Sequence, residues 1–133
     1  MSYFKDVLEF HQKFGCHIGL NPSVTDFGTA VLRQGLMDEE YQELNEALDK
    51  EDLPGIADGV ADLIYVLCGL AISYGINLDD VWAAVHKANM KKVGGKTRPD
   101  GKILKPEGWT HPDIKQILMN PTSGAFMVKD FPS

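Results

Sequence analysis

The sequence predicts an all-α protein: an antiparallel four-helix bundle core followed by a turn-rich loop and a short last helix. Three observations carry this. Apolar residues recur at helical spacing in four successive segments. Glycine, proline and cap residues separate the segments. The connections are short, which sets consecutive helices antiparallel. The 133 residues suit one domain, with a core over about 2–119 and an irregular tail over 120–133.

A first helix is predicted from Ser2 to Phe14, with Phe4, Val7, Leu8 and His11 on one face and Gly15 ending it. Gly19, Asn21 and Pro22 make the next stretch a loop. A second helix starts near Asp26 or Phe27, its inner stripe Met37, Tyr41, Leu44 and Leu48. A break over 49–55 follows, and Pro54 suits the first turn of a third helix that runs to Tyr74. That helix reads LIYVLCGLAI from Leu63, apolar all round, so burial on every side is expected, with Trp82 of the next helix also in the core. Gly75 is placed to be the C′ residue, and Asn77 to cap a fourth helix that runs to about Lys92. Turn residues then fill GGKTRPDGKILKPEGW, with room for a hairpin across Pro99-Asp100-Gly101, and a short helix closes the core over Pro112–Met119.

The net charge of −6 argues against nucleic acid as the main partner. No uninterrupted apolar run reaches the roughly 18 to 20 residues of a membrane span, and MSYFKDVLEF does not read as a signal peptide. Cys16 and Cys68 lack metal or redox spacing, and both are expected reduced in a cytoplasmic protein.

The distribution of charge says more than its total. Residues 37–62 hold ten acids against Lys50 alone, whereas residues 91–105 hold six bases against Asp100 alone. Glu39, Glu40 and Glu43 crowd one side of the second helix, and like charges so placed repel. A solvated surface explains the glutamates by themselves. Asp58 and Asp62 are harder to explain that way. They lie i,i+4 on the apolar third helix, and no Lys or Arg occurs between Asp52 and His86. Buried carboxylates need a cation or a metal. An all-oxygen donor set with few ligands suits Mg²⁺, with Mn²⁺ a possible substitute. Lys92, Arg98, Lys102 and Lys105 can neutralise phosphate oxygens, and Asn89 can read a base edge or a sugar. His11 and Phe14 either line a base pocket or pack in the core. No Walker motif is present.

The runs LMDEEYQELNEAL, IADGVADLIYVLCGLAISYGI and VHKANMKKVGGKTRPDGKILKPEGW, in this order, resemble the all-α nucleoside triphosphate pyrophosphatase superfamily, and within it the short MazG-like members. Phosphoribosyl-ATP pyrophosphatase belongs to the same group. The resemblance implies hydrolysis between the α and β phosphates of a nucleoside triphosphate, giving a monophosphate and pyrophosphate, in a nucleotide-pool house-cleaning role. It places the EExxE motif on Glu39, Glu40 and Glu43, and the Asp of a second motif on Asp62. Gly59 stands where that motif usually has Glu, and Asp58 is the substitute one residue earlier. Glu40, Glu43, Asp58 and Asp62 would hold the metal. Glu39 would hold a further ion or orient the attacking water, so Glu39 and Glu40 are the catalytic pair. The resemblance also implies Asn89, Lys92, Arg98, Lys102 and Lys105 as substrate ligands, and a homodimer or homotetramer. Phosphoribosyl-ATP hydrolysis and a non-catalytic helical interaction module are the alternatives.

Overall fold

The computed structural model describes residues 2–120. Five helices form the described chain: α1 (Tyr3–Phe14), α2 (Phe27–Asp49), α3 (Leu53–Ser73), α4 (Leu78–Met90) and α5 (Ile114–Met119). No strand occurs among the described residues, and one isolated antiparallel bridge joins Thr97 to Ile103. The all-α expectation is met. The expected irregular tail lies, apart from Asn120, outside the described residues. The chain forms two compact units, one reaching Leu78 and the other beginning at Asp79.

Local chemistry sets the helix ends. The Ser2 hydroxyl accepts the Lys5 N–H at 3.1 Å, and Asp26 accepts the Thr29 N–H at 2.9 Å. Asp52 accepts the Gly55 N–H at 3.2 Å, with Pro54 in the first turn of α3. Gly15 and Gly75 end α1 and α3 in the left-handed region, both at φ 69°.

In the first unit, α3 packs against α1 and α2. Phe4, Val7 and Leu8 of α1 meet Cys68, Ala71 and Ile72 of α3, with Ile18, Ile76 and Leu78 around them. Burying a side chain such as Ile72 contributes about 1.5–3 kcal/mol. The loop after α1 crosses the end of α3 closely, with the Gly19 N–H on the Ile72 carbonyl at 2.9 Å. The α2–α3 contact is close because glycines line it. A methyl built on Gly59 would stand 3.2 Å from the Leu44 Cα, and one on Gly55 3.2 Å from the Ala47 Cβ. One on Gly69 would stand 2.7 Å from Arg33 Nη1. Facing residues descend α2 as they ascend α3, so the helices are antiparallel.

Four expectations are corrected. The inner face of α2 is rotated from the predicted stripe: Tyr41 and Leu48 are exposed, whereas Arg33 and Ala47 are buried. The glycines of α3 draw in whichever α2 residues face them, and apolar character does not decide which those are. Second, α3 is not buried all round. Cys68, Gly69, Ala71, Ile72 and Ser73 near its end are buried, but Val60, Ile64, Tyr65 and Leu67 keep an exposed apolar side. Third, α3 is long and apolar enough to cross a membrane by length and composition, because Asp58 and Asp62 dilute it too little to break the pattern. Here it packs between α1 and α2. Fourth, Trp82 is 69 % exposed and no part of the core.

In the second unit, the Gly101 N–H closes a turn onto the Arg98 carbonyl at 2.8 Å, with Pro99 and Asp100 at its centre. The Thr97–Ile103 bridge flanks it, which is the hairpin expected across this turn. Trp109 donates its indole N–H to the Ala88 carbonyl at 2.7 Å and so ties the segment after the turn to α4.

Gly75 yields a direct check. Its backbone is left-handed, and a Cβ there would overlap the Asn21 carbonyl. Gly75→Ala is expected to cost at least about 2 kcal/mol, read as a lower denaturant midpoint at unchanged m-value.

Candidate active site

The antiparallel register that brings Arg33 to Gly69 and Leu44 to Gly59 sets Glu40 opposite Asp62. The acids of the two helices therefore meet along one seam. Glu40 and Asp62 are half-buried, whereas Glu39, Glu43 and Asp58 are exposed. The expectation that both aspartates avoid open water is thus met by Asp62 and corrected for Asp58. Asp58 sits nearer the end of the seam, where the helices leave it open.

Glu40 is the electrostatic centre. Its Oε2 is sealed from solvent and has no hydrogen-bond partner. Desolvation raises its pKa above the usual carboxylate value, and the charges of Glu43 and Asp62, a side-chain hydrogen bond with Glu43 and the charge of Glu39 push the same way. Four of the five acids singled out in the sequence therefore act on one another in space. The fifth, Asp58, lines a 220 Å³ pocket together with Glu43 and Asp62. Glu46, Lys50 and Asp52 line it too. The sequence placed these three in the acidic run without marking them as part of the site.

The donor set fits a hard divalent cation. It offers carboxylate oxygens only, and it contains a buried oxygen that lacks a partner among mutually repelling charges. Among the described residues, no three of these side chains already converge as a finished ligand sphere. Rotamer changes of the exposed Glu39, Glu43 and Asp58 would be needed to complete one.

The predicted substrate residues belong to the second unit. Lys92 and Lys105 each hold their ammonium 5.2 Å from the centroid of the Trp109 ring. Lys105 also donates to His111 Nε2 at 3.0 Å. Arg98 is committed elsewhere, with two guanidinium bonds to Asp100 at 2.8 and 2.5 Å. Asn89 and Lys102 are exposed. In the first unit, sequence reading missed Arg33, a single cation in an otherwise ordinary helix pattern. His11, left open between pocket and core, is 2 % exposed. Its Nδ1–H donates to the His17 carbonyl at 3.0 Å.

Comparison with known proteins bears on this arrangement. The profile of the phosphoribosyl-ATP pyrophosphohydrolase family matches residues 7–89. That range contains all five acids and Asn89, and it ends before Lys92. Over 99 residues, 68 % of the chain, the sequence is 34 % identical to an uncharacterized protein of Acanthamoeba polyphaga mimivirus and covers 35 % of it. Over 100 residues, 74 % of the chain, it is 31 % identical to the histidine biosynthesis trifunctional protein of Kluyveromyces lactis and covers 12 % of it. The chain thus spans well under half the length of either relative.

The raised pKa of Glu40 has a stability consequence. A carboxyl whose pKa is higher folded than unfolded favours the fold below its ordinary value of 4.5 and loses that advantage as pH rises through the folded value. The Tm of the metal-free protein is expected to fall as pH is raised from the ordinary carboxylate range toward neutrality. Glu40→Gln is expected to flatten that decline, and millimolar Mg²⁺ to reverse it in the wild type only. Scanning calorimetry across pH checks this, and a decline of equal size in Glu40→Gln would assign it to other groups.

Proposed function

Because the chain belongs to the phosphoribosyl-ATP pyrophosphohydrolase family, we propose that it is a Mg²⁺-dependent hydrolase that opens the anhydride between the α and β phosphates of a nucleoside triphosphate. The observation that supports this most is the partnerless, desolvated oxygen of Glu40 among Glu43, Asp62 and Glu39. That much negative charge on one helix seam is useful to a protein that binds a cation there and costly to one that does not.

Glu40, Glu43, Asp58 and Asp62 would hold the metal. A divalent ion in such a site neutralises phosphate charge and acidifies a bound water. Glu39, exposed next to this set, is assigned to a further ion or to orienting the attacking water by accepting one of its hydrogens. Asn89 is assigned to the nucleoside. Lys92, Lys102 and Lys105 are assigned on charge to phosphate oxygens. Arg98, held by Asp100, is better suited to shaping its turn than to gripping phosphate.

A second reading, phosphoribosyl-ATP as the substrate, is favoured by the family match itself. Pyrophosphate release from the natural nucleoside triphosphates and from phosphoribosyl-ATP, measured side by side with Mg²⁺, separates the two. On either substrate Glu43→Gln and Asp62→Asn are expected to lower kcat by about 100-fold or more. Unchanged turnover in both variants would remove the seam from the chemistry. Absence of Mg²⁺ and Mn²⁺ binding in calorimetry would favour a non-catalytic helical module instead.

We further propose that the chain self-associates through α3. Leu53, Ala57, Val60, Ile64 and Leu67 are exposed in a 4-3-4-3 spacing, the repeat with which two like helices interlock. A second copy supplies the same stripe across a two-fold axis. Ile64→Asp is expected to shift the sedimentation profile toward monomer, and an unchanged profile would exclude this face.

A further inference from the structure

The second unit gathers cations around one cavity. A pocket of 450 Å³ opens between α4 and the segment 106–112, a volume in the range of small-molecule sites. Lys87, from the last turn of α4, and Lys91, just past its end, line it together with His111, Trp109 and a single acid, Glu107. Lys105 reaches two of these walls. Its ammonium lies 5.2 Å from the centroid of the Trp109 ring and donates to His111 Nε2 at 3.0 Å. The Lys92 ammonium lies 5.2 Å from the same ring.

The acids of the unit leave this charge standing. Asp79 and Asp80 lie at the opposite end of α4. Asp100 is taken by Arg98, and Asp113 caps α5 by accepting the Gln116 N–H at 3.1 Å. Among the described residues, no carboxylate holds the ammonium of Lys87, Lys91 or Lys105. Lys105 meets another base instead. An ammonium only donates, so His111 Nε2 is the acceptor and the ring proton is on Nδ1. His111 therefore brings an N–H donor to the pocket it lines. Like charges collected around a cavity repel, and an anion in that cavity offsets the repulsion.

We propose that this pocket binds a sugar phosphate, with the phosphoryl group on Lys87, Lys91 and His111 and a sugar hydroxyl on Glu107. Three separate donor groups call for an acceptor with three oxygens. A phosphoryl group has them and carries nearly two negative charges, whereas a carboxylate has two oxygens and one charge. Glu107 selects the rest of the ligand. It repels bare phosphate, yet its carboxylate accepts from a hydroxyl placed beside the phosphoryl group. Ala84, Val93 and Pro106 supply apolar wall for the carbon frame. The pocket is built from the second unit alone, so it does not depend on the metal reading of the carboxylate seam.

The test uses the full chain with the exposed Trp82 replaced, Trp82→Phe, which leaves Trp109 as the one indole of the sequence. Ribose 5-phosphate, inorganic phosphate and ribose are titrated in at constant ionic strength, by Trp109 fluorescence and by calorimetry. Ribose 5-phosphate is expected to bind saturably, inorganic phosphate about threefold or more weaker, and ribose not at all. Lys87→Met combined with Lys91→Met is expected to weaken ribose 5-phosphate by about tenfold or more. Both lysines are exposed, so the fold is kept. Lys115→Met, on α5 and not among the lining residues, is expected to change nothing. Glu107→Gln is expected to tighten inorganic phosphate by about threefold or more. No saturable binding of ribose 5-phosphate, or equal weakening by Lys115→Met, would overturn the site. Equal affinity for inorganic phosphate and ribose 5-phosphate would overturn the sugar assignment. Pyrophosphate release from nucleoside triphosphates then identifies the source of the ligand. Competition by ribose 5-phosphate, with a raised KM in the double lysine variant, supports the pocket as the seat of the substrate's own sugar phosphate. Saturable binding without competition supports it as the seat of a separate one. A wild type that releases no pyrophosphate would overturn the proposed activity and leave the titration standing.

Discussion

The close antiparallel contact of α2 with α3 is the constraint on which the first unit depends. Gly55, Gly59 and Gly69 remove side chains from α3 at three levels, and Ala47, Leu44 and Arg33 of α2 occupy the space. A helix pair set by glycines has little freedom to rotate or slip, because any shift drives a bulky residue into backbone. The register is therefore fixed by absence of side chains as much as by apolar attraction. Everything chemical in this unit follows from it. Glu40 comes to face Asp62 because Leu44 is seated on Gly59, and Arg33 reaches His11 because Gly69 leaves the gap.

That register works against the fold electrostatically. Carboxylates meeting along a seam repel, and partial burial strengthens the repulsion by lowering the local dielectric. The unit tolerates this because the apolar core around Ile72 lies at the other end of α3, away from the acids. Charge and core are thus segregated along one helix. Arg33, which would be the natural counter-ion, sits two turns from Glu40 and faces His11 instead. Lys50 lines the pocket that Glu43, Asp58 and Asp62 share, whereas Arg33 and Glu40 are kept apart within the unit. A protein under selection for stability alone would have paired them.

Much of this was legible in the sequence. The four main helices, the start of α2 near Asp26, the Gly75 terminus and the Pro99-Asp100-Gly101 turn rest on local rules, and local rules survive folding. Asp58 and Asp62 were legible because charge on an apolar helix is conspicuous, and the three glutamates because they crowd one side of α2. The orientation of α2 was not. Periodicity selects the most apolar stripe, Met37 to Leu48, but the partner helix selects what faces it, and α3 selected a stripe that includes an arginine. Arg33 was invisible for the same reason. One basic residue in a helix of mixed composition carries no signal until the glycine opposite it is known. The exposed side of α3 was misread because apolarity all round shows that a helix needs covering, without showing that its own chain supplies the cover.

The second unit shows how structure divides residues that sequence lumps together. Four cationic residues, Lys92, Arg98, Lys102 and Lys105, looked equivalent as phosphate ligands. Arg98 is the best phosphate fork of the set by chemistry, yet Asp100 already occupies that fork, and the turn between them holds the pair in place. An incoming phosphate would have to displace a two-bond ion pair to recruit it. Lys92 and Lys105 are different. Their ammoniums lie near the Trp109 ring, an interaction of about 0.5–1 kcal/mol at an exposed site, which positions them while consuming none of their donors, and only Lys105 gives one donor, to His111. Trp109 in turn is anchored by the Ala88 carbonyl of α4. The lysines are therefore held ready while the arginine is spent on shape, so charge alone overstates what this segment can offer an anion.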